Sequence, residues 1–152
     1  MTLSDMNWMD MDLPAMKEAM KELGEPAFRA SQVFSWLHRG RDFAEMSNLG
    51  AALRSKLAKA RPLGGVKVLQ KLVSSKDGTA KYLFLLEDGN IVEGVLMHHK
   101  HGNTICISTQ VGCRMGCTFC ASTLNGLVRN LRPGEMLSAV AVVNREQMEA
   151  EG

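Results

Sequence analysis

No uninterrupted apolar stretch in these 152 residues approaches the ~18 needed to cross a bilayer, so nothing in the sequence reads as membrane-spanning. The opening MTLSDMNWMDMD is acidic and lacks both a basic start and an apolar core segment, which excludes a secretory signal peptide. Internal repeats and low-complexity linkers are also lacking. Hydrophobic residues make up 45% and charged residues 22%, an ordinary globular mix. That mix excludes a disordered chain, a coiled-coil rod and a collagen-like repeat. Cysteine is scarce, with four residues, and a cytoplasmic, reducing location is expected. Metal or redox chemistry is then a better use for these thiols than disulfides. The length suits one domain, or a domain plus part of another.

Charge is unevenly spread along the chain. Residues 1–25 carry two lysines against six acids, for −4, whereas residues 26–71 carry nine basic residues against two acids, for +7. The remainder nearly balances, giving +2 overall. A compact basic stretch suits contact with a polyanion, because neutralising phosphates releases counterions. The plainer alternative is a solvated helical surface. The residues expected to make such contacts are Arg29, Arg39, Arg41, Arg54, Lys56, Lys59 and Arg61.

Apolar spacing divides the chain. Leu13, Met16, Met20 and Leu23 form a helical stripe, with Asp12 as N-cap, Pro14 in the first turn and Gly24 as the stop. Ala30, Val33, Phe34 and Leu37 predict a second helix over 27–39, ended by Gly40. Leu49, Leu53 and Leu57 predict a third, starting after Ser47 or Asn48 and stopping near Pro62. Four β-rich runs follow at Val66–Ser74, Lys81–Leu86, Ile91–Met97 and Thr104–Thr109, separated by Asp-Gly and Gly-Asn turn signals. A Gly- and Cys-containing loop then leads to a helix over about 134–149, expected to bury Met136, Val140 and Val143. The fold class is α+β. The expected divisions are a helical domain at 1–61 carrying the basic, polyanion-contacting stretch, a β-rich connecting segment at 62–103, and a β-loop-α unit at 104–152.

The chemistry concentrates in VGCRMGCTFCAS. Cys113, Cys117 and Cys120 are spaced C-x3-C-x2-C, close enough to surround one metal cluster. A [4Fe–4S] cluster usually takes four thiolates, so three would leave one iron open to a small molecule. Gly112 and Gly116 permit tight bending, and Phe119 is a candidate water shield. A closed zinc site is the main competitor, with Cys106, His98, His99 or His101 as the fourth ligand. A disulfide and buried structural thiols are weaker readings. Trp8 and Trp36 are candidates for base stacking, with core packing the alternative, more so for Trp36. Arg114, Arg129 and Arg132 are candidates for phosphate contact.

The C-x3-C-x2-C spacing, with Phe119 before its last cysteine, resembles the signature of the radical S-adenosylmethionine (SAM) superfamily. The longer run CISTQVGCRMGCTFCASTLNGLVRNLRPGEM is similar to dual-specificity rRNA/tRNA adenine-C2 methyltransferases. FRASQVFSWLHRGRDFAEMSNLGAALRSKL resembles their helical accessory domain, and KDGTAKYLFLLEDGNIVEGVLM resembles the segment that follows it. The resemblance implies that Cys113, Cys117 and Cys120 hold a [4Fe–4S] cluster whose open iron binds SAM. It implies that Cys106 helps resolve a protein–RNA covalent intermediate and that Glu93 accepts a proton, although Gly94 stands where Thr or Ser is expected. From position alone, Cys106 is a small strand residue and Glu93 a solvent-facing carboxylate. The implied partners are rRNA, tRNA and an external electron donor, with no membrane. The implied fold is the first unit of an incomplete (β/α) barrel. Neither the Gly-Glu-Pro stretch nor the C-terminal methyl-carrying cysteine lies before Gly152, so an N-terminal fragment, inactive alone, is expected. The alternatives are an adenine-C8 methyltransferase of the same superfamily, or a non-catalytic RNA- or metal-binding module.

Overall fold

A computed structural model of the chain describes residues 2–151. They form an α+β fold of four α-helices and six strands, with every strand pairing antiparallel. The chain divides into two compact units, Met1–Gly65 with Pro133–Gly152, and Val66–Arg132. This division differs from the sequence-based one. The fourth strand, paired with the third, groups with the β-rich segment, and the last helix groups with the helical unit.

In the helical unit, α1 spans Leu13–Glu22 and begins as its sequence requires. Asp12 accepts from the Ala15 amide at 2.8 Å, and Pro14 occupies the first turn. The second helix, α2, spans Phe28–Leu37, and α3 spans Ala51–Ala60. The start of α3 falls later than expected, with Gly50 as its N-cap. Asn48 is not free to cap it, because its side-chain oxygen accepts from the Trp36 indole at 2.7 Å. The core gathers Trp8, Met16, Met20, Val33, Leu37, Met46 and Leu57, all almost fully buried. Methionines thus serve as adaptable filling between short helices. Trp8 has 0% exposure and donates its indole N–H to the Leu57 carbonyl at 3.0 Å, so base stacking is excluded for it.

The last helix, α4, spans Pro133–Glu151 and docks on the short 3-10 turn Trp8–Asp10. Gly134 makes this possible, since a β-carbon there would lie 2.6 Å from the Met9 carbonyl carbon. Its amide donates to the buried Asp10 carboxylate at 2.9 Å. The buried face comprises Glu135, Ser138, Ala139, Ala141 and Val143. Of the residues expected there, Val143 is buried, but Met136 and Val140 are half-buried. Close approach brings the small Ser138, Ala139 and Ala141 inward beside Glu135 and Val143, while Met136 and Val140 sit at the margin. Near its far end, Arg145 contacts Glu45 at 2.8 Å and Glu149 at 3.0 Å, while Arg41 contacts both acids at 2.8 Å.

The second unit is built on a four-stranded sheet in the order β1 (Val66–Val73), β2 (Ala80–Leu86), β3 (Ile91–His99) and β4 (Gly102–Ile107). Alternation along β2 buries Ala80, Tyr82, Phe84 and Leu86, leaving Lys81 on the opposite face. A second, two-stranded ladder joins β5 (Gln110–Gly112) to β6 (Leu127–Asn130). The sequence pattern did not reveal β6, which is only four residues long.

Candidate active site

The sheet register brings Glu93 and Cys106 onto one face. Val95 on β3 lies opposite Cys106 on β4, and Glu93 lies two residues before Val95. Residues two apart on a strand share a face, so Glu93 and Cys106 are diagonal neighbours on it. Both are exposed. Glu93 meets the Lys81 ammonium at 2.5 Å, across β2 and β3. The Glu93 carbonyl also accepts from the Ser108 hydroxyl at 2.8 Å and its amide at 3.3 Å, pinning the chain as it leaves β4. Lys81 was legible only as an outward residue of β2; its meeting with Glu93 required the strand pairing.

The cysteine loop grows from the narrow β5–β6 ladder. Gly112 has φ +73°, and a β-carbon there would lie 2.0 Å from the Gly126 carbonyl oxygen. The same carbonyl accepts from the Cys113 amide at 3.1 Å, closing the base of the loop. Glycine at 112 is therefore required by both backbone conformation and space. Within the loop, the Met115 amide donates to the Cys113 sulfur at 3.5 Å, and the Cys120 amide donates to the Cys117 carbonyl at 3.1 Å. Thr123 ties this turn down, its hydroxyl donating to the carbonyls of Cys120 at 3.0 Å and Cys117 at 3.3 Å. A threonine three residues after a cysteine was the available signal for this bond.

All four cysteines are free thiols, so the disulfide reading is not realised. Cys113 and Cys120 are half-buried, whereas Cys117 is exposed, which also removes the reading of all three as core filling. Three soft sulfur donors on one eight-residue loop fit an iron–sulfur cluster in number and chemistry. Among the described residues, no group of three or more His, Cys, Asp or Glu side chains converges on a metal position. The closed zinc arrangement with Cys106 or a histidine is thus not assembled, and the loop cysteines would have to gather around a cluster. Phe119 is 91% exposed and shields nothing in this arrangement.

Two arginines expected to be candidates for phosphate contact act inside the sheet unit. Arg129 on β6 donates to Asp88 in the β2–β3 turn at 2.7 Å, and Arg132 meets Glu87 at 3.1 Å. These pairs line a depression with Asn130. The hydrogen bond from Arg129 holds the Asp88 carboxyl well below the usual carboxylate range, assisted by the Asn90 amide. They tie the strand leaving the cysteine loop to the main sheet. Several basic groups of the helical unit are likewise engaged. Lys56 pairs with Glu25 at 2.6 Å, Arg61 with Glu22 at 2.8 Å, and Arg54 donates to the Ala44 carbonyl at 2.6 Å.

Residues 6–61 match the model of the ribosomal RNA large subunit methyltransferase N-terminal domain. The chain is 52% identical over 91% of its length to a probable dual-specificity RNA methyltransferase RlmN of Alkaliphilus oremlandii. Against similarly named proteins of Clostridium perfringens and Bacillus cereus it is 53% and 51% identical, over 90% and 93% of its length. It spans about two-fifths of these relatives, covering 40%, 40% and 39% of them. A radical SAM methyltransferase from Sphaerobacter thermophilus shares the fold with a TM-score of 0.89 and 37% identity, over 97% of this chain and 44% of that one. Among the described residues no helix is long and apolar enough to cross a membrane. By sequence and fold together, the chain is similar to the N-terminal portion of proteins named dual-specificity RNA methyltransferase RlmN and of a radical SAM methyltransferase.

Proposed function

We propose that this sequence serves a radical SAM methyltransferase that modifies C2 of adenine in large-subunit rRNA and in tRNA. The supporting observation is the continuity of the match. Identity near one half to the dual-specificity RNA methyltransferases extends over 91% of the chain, through both β4 and the cysteine loop. Cys113, Cys117 and Cys120 would hold a [4Fe–4S] cluster, leaving one iron for SAM. When bound, these groups, with an external electron donor, supply the one-electron chemistry needed to functionalise an electron-poor ring carbon.

The chain's own residues supply structure and acid–base groups around that chemistry. Gly112, Gly126 and Thr123 fix the base and the tight turn of the ligand loop. Cys106, exposed on β4, offers a thiol to attack and release a covalent protein–RNA species. Glu93, on the same sheet face, would accept the proton that leaves adenine, with Lys81 orienting its carboxylate until RNA arrives. As a 152-residue chain the sequence is proposed to be inactive by itself.

Anaerobic reconstitution tests the cofactor assignment. About four iron and four sulfide per chain are expected, and stoichiometric zinc without iron uptake would overturn it. A second experiment uses a chain extended to the relatives' full length, carrying Cys106→Ala. The expected result is retained iron together with RNA trapped on the protein in a denaturing gel. Iron loss would make Cys106 a ligand, and normal turnover without an adduct would make it structural.

A further inference from the structure

Charge counted by folded unit reverses the picture given by charge counted along the chain. The helical unit holds ten basic residues against twelve acidic ones, for −2, and the sheet unit holds eight against four, for +4. Three of the seven basic residues at 26–61 are answered by acids of their own unit. Glu25 meets Lys56, Glu22 meets Arg61, and Glu45 and Glu149 meet Arg41.

Within the sheet unit the acids are also placed unevenly. Because β1 to β4 run alternately up and down, the β1–β2 and β3–β4 turns share one end, and the β2–β3 turn lies at the other. The β2–β3 end carries Glu87 and Asp88, both held by arginines. The opposite end carries Lys76, His98, His99, Lys100 and His101, all exposed. The two turns there adjoin, since a β-carbon on Gly78 would lie 3.4 Å from the His98 ring. The acid at this end, Asp77, is exposed but engaged locally, accepting from the Thr79 amide at 3.1 Å and hydroxyl at 3.0 Å. His98 is steadied by Asn103 at 2.8 Å, and the rings of His99 and His101 stack nearly parallel, 4° apart in plane with centroids at 5.1 Å.

We propose that this end of the sheet, with Lys76 and Lys100 beside the His99–His101 stack, is an RNA-docking surface for an unpaired segment of the substrate. Two ammonium groups suit phosphates, and a pre-stacked imidazole pair presents a flat outer face to an unstacked base. This inference rests on RNA being the substrate class, and it moves the principal contact from the helical unit to the sheet unit.

Fluorescence anisotropy with the 152-residue chain and a labelled 20-nucleotide single-stranded RNA tests it, with a polyaspartate of equal charge as competitor. Lys76→Glu with Lys100→Glu should weaken binding at least tenfold and flatten the salt dependence by about 1.4 log units per log unit of salt, two single-strand phosphate contacts. His99→Ala with His101→Ala should weaken RNA binding with little change in that slope. A control reversal at Lys17 and Lys21 of the helical unit should stay within twofold, and circular dichroism checks that each variant is folded. RNA binding by the unaltered chain that ignores the Lys76 and Lys100 reversals overturns the surface alone. Polyaspartate competing as well as RNA overturns its fit to nucleotides. No RNA binding by the unaltered chain overturns the surface and the RNA-substrate reading together.

Discussion

The helical unit and the sheet unit put their side chains to different uses. In the helical unit Trp8, five methionines and the aliphatic stripes of three helices are buried, and acids and bases from distant positions neutralise one another. In the sheet unit the chemically distinctive residues face outward: Cys106, Cys117, Glu93, Met115 at 75% exposure and Phe119 at 91%. The cysteine loop is positioned by a glycine crossing, two threonine hydrogen bonds and two arginine–carboxylate pairs, not by burial. One unit is therefore sensitive to lost volume, and the other to lost placement.

The largest expected effect lies in the helical core. Trp8→Ala should cost about 3–5 kcal/mol of stability by urea denaturation, because it empties a fully buried site and removes the indole donor to the Leu57 carbonyl. Next comes the neck of the loop. Gly112→Ala forces a β-carbon towards Gly126 and strains a positive φ, so a loss of about 1–3 kcal/mol is expected. Its iron uptake should fall as well, which would separate it from Trp8→Ala, whose folded fraction should still load iron.

A smaller effect is expected at the strap. Asp88→Asn should cost about 1 kcal/mol or less, since the pair with Arg129 is partly exposed and screened. Its carboxyl is held below the ordinary range, so the stability it contributes is present above the unfolded value of about 3.9 and is lost as pH falls through the lower folded value. The gap between wild type and variant should therefore be constant at neutral and mildly acidic pH and close only in strong acid. Smallest of all, Cys117→Ser should change stability by no more than about 0.5 kcal/mol, being exposed, while abolishing iron retention. A large stability loss there would erase the contrast between the units.

Much of the local structure was legible. Asp12, Pro14 and Gly24 marked α1 because capping and proline geometry act within a single turn of backbone. The strands were legible because a two-residue period shows in the sequence whatever they pair with. What failed did so for non-local reasons or for want of length. Asn48 was engaged by Trp36 instead of capping α3, β6 was too short to show a period, and α4 turned its small residues inward where Gly134 allowed close docking. Arg129 and Arg132 looked like free cations until Asp88 and Glu87 came within reach.

The sequence by itself determined the three-thiol donor set, the α+β succession of elements, and the family resemblance that links Cys106 and Glu93 to them. These depend on residue identity and short spacing, which folding does not alter. The tertiary structure decided that Glu93 and Cys106 share an exposed face, that the loop rests on a Gly112–Gly126 crossing, and that surplus positive charge belongs to the sheet unit. Those facts depend on register and on which distant side chains meet, and electrostatic and steric energies are set by separation in space, not by separation along the chain.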